Sequence, residues 1–174
     1  MNAPLIIFLA AAIVGLTAAW IWRRVTLAGQ VTRMSIHARA AFGLVCLERA
    51  AGRLDIRSPE LDQLIQRLWS KLETGQLEDW GCGGAADDLP PPQRDAIGPL
   101  LHELDEIGSG NLYGAFRNEY TLIPTLNLAG LLKAQDIPLP PRQPFIANSP
   151  RRWWDPWGQA IDTARLRRDL EGWA

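Results

Sequence analysis

Two histidines, two cysteines and a long acidic stretch are the groups in this chain whose chemistry goes beyond packing. His102 is followed by Glu103, Asp105 and Glu106, an imidazole and three carboxylates within five residues. A zinc-hydrolase helix needs a second histidine four residues after the first, and position 106 is glutamate. The carboxylates are therefore expected on a solvated helix face. Cys82 lies in Gly81-Cys82-Gly83-Gly84, which predicts a flexible loop. A cysteine nucleophile needs a neighbouring group that holds it as thiolate, and the local sequence supplies none. Cys46, in an apolar helical run, reads as a small buried hydrophobe. The glycine cluster lacks the Lys-Ser/Thr of a phosphate loop, and no Gly-x-Ser-x-Gly elbow occurs. The expectation is a protein that is not an enzyme: no catalytic residues, no metal, no cofactor and no small-molecule substrate.

Recognition is the remaining chemistry. Between Glu73 and Glu106 nine acidic residues surround a single base, Arg94. Such a run is either a solvated face or a surface for a basic partner. The partner-binding candidates are Asp87, Asp88, Glu103, Glu106 and, from the turn after them, Tyr113. Formal net charge is −1, which gives no drive toward nucleic acid.

A second set of residues points to lipid. Leu5 to Trp22 holds about 18 residues without a charge, near the minimum for a membrane-spanning helix. Trp20, Trp22, Arg23 and Arg24 close it, and indoles and arginines favour the membrane interface. The first four residues carry no side-chain charge, and tryptophans occupy the zone where a signal peptide would be cleaved, so the segment reads as a retained anchor. Arg23, Arg24, Arg33 and Arg39 all follow the span and none precedes it. The positive-inside bias then predicts a single-pass protein of a bacterial inner membrane with its main domain in the cytoplasm. The C-terminal tail repeats the basic-aromatic mixture in Arg151, Arg152, Trp153, Trp154 and Trp157. Three readings stand: the tail lies in the membrane interface, serves as an interaction segment, or folds back to cap the domain.

The elements that must position these groups are helical. Apolar residues recur with helical period from Val31 to Leu54, predicting a wide-faced helix central to the core. Ser58-Pro59-Glu60 reads as N-cap, first turn and dipole complement of a second helix, with Trp69 in its buried face and Gly75 as its left-handed stop. Gly81 to Pro92 is a loop. A third helix is expected from Gln93 to Ile107, kinked or restarted at Pro99. A fourth starts near Thr121 or Ile123 and buries Leu122, Leu126, Ala129 and Leu132. Arg142 to Pro150 reads as an extended, Pro-rich linker. Asp155-Pro156 would then cap and open a last helix reaching Trp173. Strand-like alternation is nearly absent. The fold class is all-α: a compact bundle of four to five helices over 31–141, preceded by a transmembrane anchor over 1–24 and followed by the linker and Trp/Arg-rich helix of 142–174.

Ala40 to Glu48, Pro59-Glu60-Leu61-Asp62 through Leu68-Trp69, Leu77-Glu78-Asp79-Trp80, Glu106-Ile107-Gly108, Asn111 to Ala115 and Ile137 to Pro140 occur in an order that resembles small helical bacterial proteins of unknown function, some of them immunity-protein-like. The resemblance covers about Arg33 to Pro141 and carries no active-site residues. It implies a helical bundle and an immunity-type inhibitor of a toxin. The leading expectation is a membrane-anchored, non-enzymatic protein-interaction module whose acidic surface meets a basic protein. The alternative is a structural inner-membrane protein whose C-terminal helix lies on the lipid surface.

Overall fold

A computed structural model describes residues 15–19, 21–22, 24–78, 80–109 and 119–173. Most of the apolar run Leu5–Trp22 lies outside the described residues, as do Trp20, Arg23 and Tyr113. Among the described residues no helix is long and apolar enough to cross a membrane. Among the described residues from Leu27 onward seven helices follow one another: α1 Leu27–Val31, α2 Ile36–Arg53, α3 Pro59–Thr74, α4 Pro91–Ser109, α5 Glu119–Ala134, α6 Gln143–Asn148 and α7 Thr163–Asp169. No strand occurs among the described residues, only two isolated bridges, so the all-α class holds. Before α1 the described positions from 15 to 25 are helical as well, and they are exposed.

α2 is the central element. It packs against α3, α4, α5 and α6, and its first twelve residues are all buried. That includes Arg39, at 0% exposure. α4 approaches closely at Gly43, where a β-carbon would meet the methyl ends of Leu104 and Ile107. α3 forms as its sequence dictates: Ser58 Oγ accepts from Leu61 N at 3.2 Å, Pro59 starts the helix, and Gly75 ends it at φ 71°. Leu61, Leu64, Leu68, Trp69 and Leu72 are its buried face.

α4 runs unbroken through Pro99. A residue before proline is normally pushed out of the helical region by its own β-carbon, and Gly98 has none. At the far end of α4, Gly108 lies flat against the indole of Trp80, whose Nε1–H donates to Leu104 O at 3.0 Å. α5 buries Thr121, Thr125, Leu128, Ala129 and Leu132, while Leu122 and Leu126 are only half-buried; the inward stripe is rotated from the one expected.

Three expectations are corrected. The helix foreseen from Val31 divides at Thr32–Ser35 into α1 and α2, because Ser35 caps α2 by accepting from Ala38 N at 3.1 Å. The stretch 142–150 is no extended linker: it forms α6, whose Phe145 is fully buried and meets Phe42 edge-on at 5.4 Å between ring centres. The last helix does not open at Asp155-Pro156. It opens at Asp162, which accepts from Arg165 N at 2.9 Å, and Asp155 instead accepts from Gly158 N in a turn.

The physical reason for that turn lies at the start of α2. A helix N-terminus leaves backbone N–H groups without intrahelical partners. Here Ser35 N donates to Ser149 O, Ile36 N to Pro156 O and His37 N to Trp157 O at 3.0–3.3 Å. The tail is irregular because its carbonyls face α2. Gly158, at φ 73°, lets the chain pass against Ser35 and Ser149, where a β-carbon would collide with both. The His37 ring adds two contacts, Nδ1 with Trp157 O at 2.6 Å and Nε2 with Gly75 O at 3.2 Å. A carbonyl only accepts, so a ring nitrogen bonds its partner here only as an N–H donor. One buried imidazole thus ties α2 to the end of α3 and to the tail.

Candidate functional site

Of the histidines and cysteines, Cys82 and His102 line one cleft, while Cys46 and His37 are buried elsewhere. Among the described residues no group of three or more His, Cys, Asp or Glu side chains is placed to hold a metal ion. Cys82 is buried rather than carried on an open flexible loop, and its N–H donates to Asp105 Oδ1 at 3.0 Å. Burial, and then the Asp105 carboxylate, push its thiol up to about 12, opposed by Arg67. A thiol held protonated is a poor nucleophile. Burial alone pushes the Cys46 thiol up. Cys82, Asp87, Arg94, His102 and Asp105 line a shallow cleft of about 320 Å³. Arg94 donates there to the carbonyls of Ala86, Asp87 and Leu89 through Nε and Nη2.

The acidic candidates separate into two places. Glu103 and Glu106, one turn apart on α4, share a cleft of about 470 Å³ with His102 and with Tyr120, Ile123 and Asn127 of α5. Asn127 Nδ2 donates to Glu103 Oε1 at 3.3 Å. Tyr120 and Ile123 are 52% and 62% exposed, so the cleft joins uncovered apolar surface to an acidic rim. Asp87 belongs to the neighbouring cleft, and Asp88 accepts from Ser58 Oγ at 3.0 Å at the start of α3. Asp87 and Asp88 therefore do not line the cleft that holds Glu103 and Glu106. His102, in both clefts, is the link between them.

The tail candidates also divide. α7 docks on the bundle: Leu166 is buried, Ile161 N donates to Leu72 O at 2.9 Å, and Arg167 pairs with Glu48 at 3.6 Å while lying over the Trp69 ring at 5.2 Å. Trp69 Nε1 donates to the same Glu48 at 2.8 Å, so Trp69 is a core residue with its polar end satisfied. Trp157 is half-buried and meets the His37 ring edge-on. Trp153 and Trp154 are 86% and 64% exposed and pack edge-to-face on each other at 5.4 Å. Arg151 and Arg152 are exposed beside them, as are Trp22 and Arg24 before α1.

Two arginines gain a role that spacing alone did not give them. An antiparallel bridge pairs Met34 with Pro150, and Arg151 N donates to Arg33 O at 3.0 Å. Arg33 and Arg151 are thereby set opposite one another. Together with Thr32, Ile146, Pro150 and Trp153 they line a hollow of about 340 Å³. Arg39 lies buried in the adjoining α2, with Nε donating to Val31 O at 3.2 Å and Nη1 to Thr121 Oγ1 at 2.7 Å. Burial, and then the charge of Arg151, push Arg39 down to about 9. The only sequence signal for this corner was an arginine inside an apolar helix.

Comparison with protein-family models, with curated proteins and with solved structures gives no match.

Proposed function

We propose that this chain is a membrane-anchored, non-enzymatic interaction module that presents the Glu103–Glu106 cleft to a basic protein, with an immunity-type inhibitor of a toxin as its specific form. One observation carries the reading: the large exposed hydrophobics of the described residues fall in clusters. Leu16, Ile21, Trp22 and Val25 stand uncovered before α1; Tyr120 and Ile123 stand in the acidic cleft; Trp153 and Trp154 stand at the tail corner. Scattered apolar side chains are ordinary on a surface, whereas grouped ones mark interfaces. A helix with Leu16 and Val25 more than two-thirds exposed suits lipid, and it continues the uncharged run from Leu5. The α4–α5 cleft has the anatomy of a protein interface, an apolar centre inside a charged rim. The charge bias after the anchor orients the domain to the cytoplasmic side of a bacterial inner membrane.

The alternative, a structural membrane component, is favoured by the Trp153–Trp154 turn. Its lipid contact would be that turn, because α7 is docked on the bundle through Leu166. Capture from detergent-solubilised native cells separates the two readings. The full-length chain should retain one stoichiometric basic protein and lose it in Glu103→Lys/Glu106→Lys, while Asp87→Lys keeps it. Equal capture by the charge-reversed chain would remove the cleft as the binding surface, and recovery of lipid alone would favour the structural reading. Extraction of the wild-type chain by carbonate without detergent would overturn the anchor.

A further inference from the structure

The bridge between Met34 and Pro150 creates an electrostatic problem. It fixes Arg33 and Arg151 as direct cross-chain neighbours, with the buried Arg39 close enough for Arg151 to act on it. Like charges placed opposite each other are destabilising. Among the described residues no carboxylate lies within ion-pair distance of Arg33, Arg151 or Arg152; the ion pairs formed are Arg57–Asp55, Arg165–Asp169 and Arg167–Glu48. The nearest acidic residue in the turn, Asp155, has its carboxylate on Gly158 N. The hollow between the two arginines is open, and its rim is Trp153. Arg33 and Arg151 therefore form a positive site that no described carboxylate pairs.

Its position says what compensates it. Arg33 follows Arg24 by nine residues, past the extended Thr26 cap and α1, and Trp22 and Val25 are exposed apolar residues of the same approach. Gln30 ties the approach to the bundle, donating to Arg24 O at 2.7 Å and accepting from Arg142 Nε at 2.8 Å. Exposed indoles beside arginines are the composition of the headgroup layer, and basic residues next to a span recruit anionic lipid. We infer that the hollow between Arg33 and Arg151 binds the phosphate of an anionic phospholipid headgroup, with Trp153 and Trp154 seated at headgroup level. This rests on the membrane attachment proposed above. Arginine suits the task because its planar fork donates two parallel bonds to phosphate oxygens.

The test uses the full-length chain in bilayer discs holding equal amounts of phosphatidylglycerol and phosphatidylcholine, with bound lipid read by native mass spectrometry. Wild type should retain phosphatidylglycerol over phosphatidylcholine. Arg33→Ala/Arg151→Ala should weaken that retention roughly tenfold to thirtyfold, from a few-fold for each basic residue at an anionic surface. Arg33→Lys/Arg151→Lys should restore part of it, since charge returns without the fork. Arg151 is exposed, Arg33 is half-buried and the bridge is made by backbone, so unchanged far-UV circular dichroism is expected and is checked. Equal retention of the two lipids by wild type, or undiminished phosphatidylglycerol on the double alanine variant, overturns the inference. Saturation of the site by inorganic phosphate, with no preference between lipids, would assign it to a soluble anion and also overturn it. Flotation of the same proteins with pure phosphatidylcholine vesicles reports the anchor alone: wild type and double variant should float equally, and failure of both to float is a failure of the membrane reading.

Discussion

The seating of Trp80 on Gly108 yields a prediction whose sign reverses with one further change. A β-carbon added at Gly108 falls inside contact distance of Cγ, Cδ1 and Nε1 of the Trp80 ring. The obstacle is a rigid ring, 6% exposed, with its N–H on Leu104 O at 3.0 Å. Gly108→Ala leaves two responses. If the ring stays, overpacking strain of about 1–3 kcal/mol is the lower bound for a collision this deep. If the ring leaves, the loss approaches a Trp→Ala truncation, about 3–5 kcal/mol, including the orphaned hydrogen bond. Alanine returns about 0.5–1 kcal/mol over glycine as a helix residue. The net expectation is a loss of about 2–4 kcal/mol, a large share of the stability of a domain this size. Urea unfolding of the detergent-solubilised chain, followed by far-UV circular dichroism, measures it. In a Trp80→Ala background the collision is gone, and Gly108→Ala should stabilise by about 0.5–1 kcal/mol. Gly130→Ala on α5, where nothing lies within 4 Å, should show the same small gain in wild type. An equal loss from Gly108→Ala with and without Trp80 would refute the reasoning.

Three further outcomes are expected. His37→Ala removes contacts to Trp157 O and Gly75 O and should lose roughly 2–3 kcal/mol while speeding proteolysis of the tail; a wild-type urea midpoint would sink the role given to the imidazole. Ser58→Ala removes the cap on Leu61 N and should lose about 1 kcal/mol by the same assay, with no change if the cap is idle. The thiols of Cys46 and Cys82 are pushed up by burial, so above pH ~9 the unfolded chain gives up protons that the folded chain keeps, and stability falls as pH rises. Each thiol contributes about 1.4 kcal/mol per pH unit, so Cys46→Ala/Cys82→Ala should flatten the alkaline fall relative to wild type, and parallel slopes would count against burial as the cause.

Where a local signal and the tertiary demand agree, the chain was readable. Ser58, Pro59, Trp69 and Gly75 each stand where cap, first turn, core face and stop were expected, because every one of those signals acts within a few residues. The division at Ser35 was hidden because Val31 and Met34 keep the helical period across it, and both are buried on either side of the break. The prolines around α6 suggested an extended path, although Pro144 stands in the first turn, where proline is tolerated, and the Phe145-Ile146 pair was the sign of burial. Asp155-Pro156 has the local form of a helix start. It was overruled because α2 needs the Pro156 and Trp157 carbonyls, a requirement set by a residue more than a hundred positions away. The same limit applied to the candidate site. Glu103 and Glu106 share a face by helical spacing and could be paired from sequence, whereas Asp87 lines the neighbouring cleft and Asp88 faces Ser58, placements set by tertiary packing. The Arg33–Arg151 corner depends on a bridge between distant segments, and its one local trace was Arg39 inside an apolar helix.

The late partners of α2 also order events in time. Ser35 and Ser149 are 114 positions apart, and His37 and Trp157 are 120. Closing a loop of that length costs about 2 kcal/mol more entropy than closing one a tenth as long, and the return comes only when the intervening helices are in place. At roughly 5–20 residues per second, a ribosome needs about 6–24 seconds to go from His37 to Trp157. Through that interval the central helix lacks the carbonyls that complete its N-terminus. The nascent domain therefore matures in a single late step, and a stop codon between Ala134 and Trp157 removes that step while leaving all the long helices encoded.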